Sequence, residues 1–236
     1  MRWVAFAGAL LLPIALAAAL TRTELGRGWL RTRGWLAPVI NTAPYREQVE
    51  AFAQANRQLE DGCTLLLGDS LTALFPPELA RNWANRGISG DRVQDLAARL
   101  DRSVANAPCE TVALLIGSND LVNDGAAPHA VETGIRDIAG RLAEDRRRVL
   151  VLTLPPTRDH FKAANKAIQE TNTRIRDAKW PNRVVLVDLN APLADAYGTL
   201  ASRFSRDGLH LTPEAYVVWA DLVKRKLPPQ AGAPNP

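Results

Sequence analysis

Apolar positions along this chain follow two alternating patterns. From Tyr45 they fall at helical spacing, through Val49, Phe52 and Leu59, with Thr42 and Pro44 ahead of them as a start signal. Short unbroken apolar runs come next, at Cys63 to Leu67, Thr111 to Ile116, Val149 to Leu152 and Val184 to Val187, with a weaker one around Trp83 to Ile88. Runs this short, with no polar residue in every second place, predict strands covered on both faces. Between them helical spacing returns in Val93, Leu96 and Leu100, in Ile135, Ile138 and Leu142, and in Ala164, Ile168 and Ile175. Thr212 and Pro213 open a last helix that carries Tyr216, Trp219, Leu222 and Val223. Strands separated mostly by single helices predict an α/β domain, a doubly wound three-layer α/β/α sandwich on a five-stranded parallel, flavodoxin-like sheet. Ligands of such sheets bind beyond the carboxyl ends of the strands.

One stretch fits neither pattern. Residues 3–20 carry no charge and stand between Arg2 and Arg22, and no face of the segment is polar. Its length suits a spanning helix at its lower limit and exceeds a usual signal core. Ala15, Ala17 and Ala19 offer small-residue cleavage sites, whereas the arginines that follow resist export. Residues 1–20 are therefore read as a signal peptide or an N-terminal membrane anchor, which places the protein in the cell envelope, anchored or exported. Residues 21–42 form a basic linker, 43–227 the folded domain and 228–236 a Pro-rich tail.

Charge sharpens this division. The net charge of +4 is accounted for by Arg2, Arg22, Arg27, Arg31 and Arg33 against Glu24, so the rest of the chain is balanced. A nucleic-acid binder carries its basic footprint on the folded domain, so no nucleic-acid partner is expected. Anionic lipid headgroups beside the N-terminal segment are the partner that this distribution suits. Cys63 and Cys109 are too few for a disulfide framework and share no metal-ligand spacing with the histidines. Either they form a single bridge in an exported domain or they are free buried thiols.

The chemistry collects directly after the strands. Gly68-Asp69-Ser70-Leu71-Thr72 follows the first, Ser89-Gly90-Asp91 the second, and Gly117-Ser118-Asn119-Asp120 the third. Asp207-Gly208-Leu209-His210 precedes the last helix and can return a carboxylate and an imidazole to the same edge. A serine hydroxyl is a weak nucleophile at neutral pH and needs a neighbouring base, and an acyl-transfer intermediate needs preformed donors around its oxyanion. Gly90 lets a substrate approach its amide closely, and Asn119 supplies an uncharged NH2 donor.

These four blocks, in this order from Thr64 to about Leu222, resemble the SGNH (GDSL-like) hydrolase family. The resemblance implies Ser70 as nucleophile and as one backbone donor, Gly90 as a second backbone donor and Asn119 as a side-chain donor. It makes His210 the base and Asp207 the base's partner. One position departs, because Ala215 stands before Tyr216 where relatives usually carry glycine. The implied activity is hydrolysis of a small-molecule or lipid-like acyl ester through an acyl-serine, with no metal and no organic cofactor. Transfer of the same acyl group to a sugar or lipid acceptor is the alternative within enzymes, and a non-catalytic α/β binding domain the alternative outside them.

Residues beside the motifs are read more plainly. Asp188, at the end of the fifth strand, is a second carboxylate within reach of His210 but is expected to anchor its own loop. Asp69 and Asp120 are read as loop supports, Asp91 as a helix cap, and Asn165 and Asn172 as surface or loop-tethering residues. His160 is read as a solvated loop histidine and Arg146-Arg147-Arg148 as a solvated helix end.

Overall fold

The computed structural model describes residues 42–228. The readings of residues 1–41 and of 229–236 fall outside the described residues. Among the described residues no helix is long and apolar enough to cross a membrane.

Five parallel strands form one sheet in the order β2-β1-β3-β4-β5, with β1 at Thr64–Gly68, β2 at Trp83–Gly87, β3 at Thr111–Leu115, β4 at Arg148–Leu152 and β5 at Val184–Val187. Every residue of β1 and β3 is buried, as unbroken runs such as Leu65-Leu66-Leu67 require. The chain first steps outward from β1 to β2, then crosses back past β1 to β3 and continues to β5. Right-handed crossovers therefore place helices on both faces. Helices α1 (Ala43–Ala55), α2 (Ser70–Ala73) and α3 (Val93–Val104) are followed by α4 (Ser118–Val122), α5 (Pro128–Glu144) and α6 (Asn165–Asp177), then by α7 (Asn190–Leu193) and α8 (Pro213–Lys224). On one face α1 packs on α3, α3 on α5 and α5 on α6. On the other, the Tyr216 hydroxyl of α8 donates to the Leu71 carbonyl of α2 at 2.9 Å, and Phe75 lies within 6 Å of the Trp83, Tyr216 and Trp219 rings.

Several local expectations change. Leu59 and Ala164 fall in or beside 3-10 turns rather than in α1 and α6, because each helix is bounded by a tighter turn that periodicity does not register. The arginine run is not a solvated helix end. Arg147 turns inward and donates to the Ala107 and Cys109 carbonyls, and Arg148 opens β4. Of the two readings of the cysteines, the structure has the bridge: Cys63 and Cys109 form a disulfide just before β1 and β3. At the other end of this strand pair the order reverses direction, which opens the crevice where ligands of such sheets bind.

Candidate active site

Ser70 is the first residue of α2, directly after β1 and its Gly68-Asp69 turn. The Asp69 side chain accepts from the Leu71 amide at 2.9 Å, which fixes that turn and leaves the Ser70 amide in the first helical turn, where no intrahelical acceptor exists. Asp69 is fully buried, and burial pushes its carboxyl up to about 7. Its Oδ2 has no hydrogen-bond partner among the described residues.

The expected base arrives from the far end of the domain. Ser205 and Leu211 form an isolated antiparallel bridge, and the loop between them presents Asp207 and His210. His210 Nε2 lies 3.0 Å from Ser70 Oγ, and His210 Nδ1 lies 2.7 Å from Asp207 Oδ2. Asp207 Oδ1 also accepts from the amides of Leu209 and His210, at 3.1 and 2.8 Å. Partial burial works to raise the Asp207 carboxyl, but the hydrogen bonds from the His210 ring and from the two amides outweigh it and hold the group at about 2. Gly208 has φ +96°, a left-handed conformation that lets the three-residue interval turn both side chains the same way. Its carbonyl accepts from the Arg158 amide at 2.9 Å, so the loop is docked on the segment after β4.

The three expected oxyanion donors come from the ends of β1, β2 and β3. Gly90 is exposed with φ +85°, and its amide makes no hydrogen bond among the described residues. Asn119 is buried in α4 and is held at both ends: its Nδ2 donates to the Asp91 carbonyl at 2.9 Å and its Oδ1 accepts from Asn123 Nδ2 at 2.9 Å. One proton of the Asn119 amide remains for a substrate oxygen. The Ser70, His210 and Asp207 side chains form one hydrogen-bonded chain, and Asn119 is tied to the residue next to Gly90.

Neighbouring carboxylates divide as expected, with one correction. Asp188 accepts from Thr153 Oγ1 and from the Asn190 and Ala191 amides, and so anchors its own loop rather than His210. Asp120 accepts from the Val93 amide at 3.1 Å and thereby caps α3, the task assigned above to Asp91. Asp91 is unavailable for that task because its carboxylate is bound by Arg99 Nε at 2.7 Å. Asn165 and Asn172 are tethers. Asn172 is fully buried and exchanges hydrogen bonds with the Leu154 backbone, while Asn165 does the same for Thr157. His160 is exposed, and its ring lies tilted against that of Phe161.

The sequence pattern gave no role to Arg99 or Asn123 and marked Tyr45 only as an apolar helix position. Arg99 left a signal, since it sits on the same helical face as Leu96 and Leu100, where a charged residue needs a buried partner.

The GDSL-like Lipase/Acylhydrolase family matches residues 61–218, a span that includes every residue of the site. No curated protein matches the chain. Among solved structures, a GDSL-like lipase from Bacteroides thetaiotaomicron superposes with a TM-score of 0.68 at 22% identity, covering 76% of this chain and 96% of that one. A member of the lipolytic protein G-D-S-L family from Veillonella parvula gives 0.59 at 17%, covering 69% and 96%. A carbohydrate esterase family 3 structure from Talaromyces cellulolyticus gives 0.56 at 19%, covering 70% and 96%. At these identities the likeness is one of fold.

Proposed function

The chain belongs to the GDSL-like lipase/acylhydrolase family, and from that premise we propose that it is a serine esterase working through a covalent acyl-serine. The observation that carries this reading is the continuous contact from Ser70 Oγ through the His210 ring to Asp207, at 3.0 and 2.7 Å. In the proposed cycle Ser70 Oγ attacks the acyl carbonyl as His210 Nε2 takes its proton. Asp207 holds the Nδ1 proton and stabilises the imidazolium that forms. The carbonyl oxygen, now negative, meets the amides of Ser70 and Gly90 and the free proton of Asn119 Nδ2. His210 then returns its proton to the departing alcohol, and water, activated by the same base, releases the acid.

Lipid-like esters presented at the cell envelope suit the charge-free residues 3–20 and the Cys63–Cys109 bond, since disulfides persist in oxidising compartments.

One experiment tests both statements. A fluorophosphonate probe should label the wild type and leave folded Ser70→Ala unlabelled, and only the wild type should turn over p-nitrophenyl esters. Equal labelling of both proteins would overturn the nucleophile. A kcat/KM that rises from acetyl to long acyl chains supports the lipid-like substrate, and a maximum at acetyl overturns it.

A further inference from the structure

Helix α1 lies before the family-matched residues 61–218, yet its Tyr45 reaches the loop that carries Gly90. The Tyr45 hydroxyl donates to Asp91 Oδ1 at 2.9 Å, and the two residues are 6% and 1% exposed. The other oxygen of that carboxylate accepts from Arg99 Nε at 2.7 Å. Arg99 is itself buried and has two further bonds, from Nη1 to Ser103 Oγ at 2.8 Å and from Nη2 to the Gly68 carbonyl at 3.1 Å. The main-chain carbonyl of Asp91 accepts from Asn119 Nδ2.

The connectivity of this cluster is its content. Gly68 is two residues ahead of Ser70, Asp91 directly follows Gly90, and Asn119 is bound to Asp91. The buried Asp91–Arg99 pair joins the first two of the segments that supply the proposed oxyanion donors, and the Asp91 main-chain carbonyl joins the third. Stability alone does not account for them, because an apolar pair of similar volume often stabilises as well as a buried ion pair does. What the charged pair adds is direction. Donors in such a site act only when held within about 0.5 Å of their working positions, and a misplacement of about 1 Å can cost a hundredfold in rate.

We propose that Tyr45 and Arg99 are positioning residues of the esterase site: Tyr45, from a helix outside the family-matched segment, holds Asp91, and Arg99 ties Asp91 to the Gly68 carbonyl, so that the amides of Ser70, Gly90 and Asn119 keep one spacing. This inference rests on the esterase reading above. Helix α1 is then part of the catalytic unit rather than a spacer ahead of it.

The test uses the full chain, with one p-nitrophenyl ester and the fluorophosphonate probe. Tyr45→Phe removes only the hydroxyl and leaves the ring packed and the Arg99–Asp91 pair intact. It should lower kcat about tenfold with KM within about twofold, the split expected when an interaction serves the transition state. The rate constant for fluorophosphonate labelling should fall by a similar factor. Val49→Ala, a truncation on the same buried face of α1, should lower thermal stability and leave kcat unchanged. Arg99→Lys keeps the charge but cannot span Asp91, Ser103 and Gly68 together, and its kcat should fall further than that of Tyr45→Phe. Should Arg99→Lys fail to fold, Tyr45→Phe and Val49→Ala decide the matter. Wild-type kcat in Tyr45→Phe, or an equal loss in Val49→Ala, overturns the positioning role while Ser70-dependent turnover leaves the esterase reading standing. Absence of Ser70-dependent turnover in the wild type overturns both.

Discussion

Strands β1 and β3 are neighbours along their whole length, but their two ends are held by different means. At the amino end Cys63 and Cys109 join them covalently, and beside the bond lies a cavity of about 580 Å³ lined by Glu110, Arg146, Arg147, Arg148 and Arg183 among others. At the carboxyl end the sheet ladder runs on to Gly68 and Leu115 with no covalent link. Gly68 leads to Ser70 and Leu115 leads to Asn119, and the gap is spanned by hydrogen bonds through Arg99 and Asp91. A disulfide acts chiefly by constraining the unfolded chain, whereas the polar links act on the folded site and set the placement of the groups they join. Stability and reactivity are thus assigned to opposite ends of one strand pair, and perturbing each end should show it.

The largest effect is expected at the carboxyl end. Asp207→Asn keeps the shape of the Asp207 side chain but favours the wrong imidazole tautomer, and kcat should fall by at least about 10². Asp188→Asn should leave kcat within about threefold, since Asp188 serves Thr153, Asn190 and Ala191. Steady-state rates of both purified variants on one ester check this, and a crippled Asp188→Asn beside a normal Asp207→Asn would reassign the partner of His210.

At the amino end the expected change is in stability alone. The double variant Cys63→Ala/Cys109→Ala opens a loop with a sequence separation of 46 and should lose roughly 2–4 kcal/mol of unfolding free energy. Its kcat, measured where it remains folded, should stay within about twofold of the wild type. Urea unfolding read alongside activity tests this. A large loss of kcat at unchanged stability would mean that the two ends are not separable.

The smallest effect concerns Asp69. Its carboxyl ordinarily titrates at 3.8 and is pushed by burial up to about 7. The folded state therefore binds a proton more tightly than the unfolded state, and this contribution is fully present below about 4 and lost as pH rises through about 7. Asp69→Asn retains an acceptor for the Leu71 amide and has no proton to lose. Between pH 5 and pH 8 the wild type should lose roughly 2–3 kcal/mol more stability than this variant. Parallel pH profiles of the two in thermal unfolding would remove Asp69 as the cause.

The strands and the candidate site residues were legible in the sequence for a common physical reason. A strand buried on both faces must be continuously apolar, so Leu65-Leu66-Leu67 and Val112-Ala113-Leu114 declare themselves, and the polar residues that follow mark the edge where the backbone leaves the sheet. The contact of Asp207 with His210 was legible because the two are close in sequence and their pairing is local. The supports were less so. That Asp120 rather than Asp91 meets the Val93 amide depends on a partner 27 residues away, and the Tyr45–Asp91 contact joins positions 46 apart. Tyr45 was read as one apolar step in a helical pattern, and its hydroxyl acquires meaning only when α1 is laid against α3. The arginine run misled in the same way, because Arg147 finds its carbonyls on the loop ahead of β3, well before it in the chain.

Ser70 and His210 are separated by 140 residues, and the bond from Tyr216 to the Leu71 carbonyl spans 145. A chain still being made therefore carries a serine without a base, and a fragment cut anywhere between the two carries an ordinary hydroxyl. Closing a loop of this length has an entropic cost that must be met before its contacts form. Reactivity toward esters thus reports that the whole sheet has assembled, and an emerging or damaged chain has no hydrolytic power to turn on its surroundings.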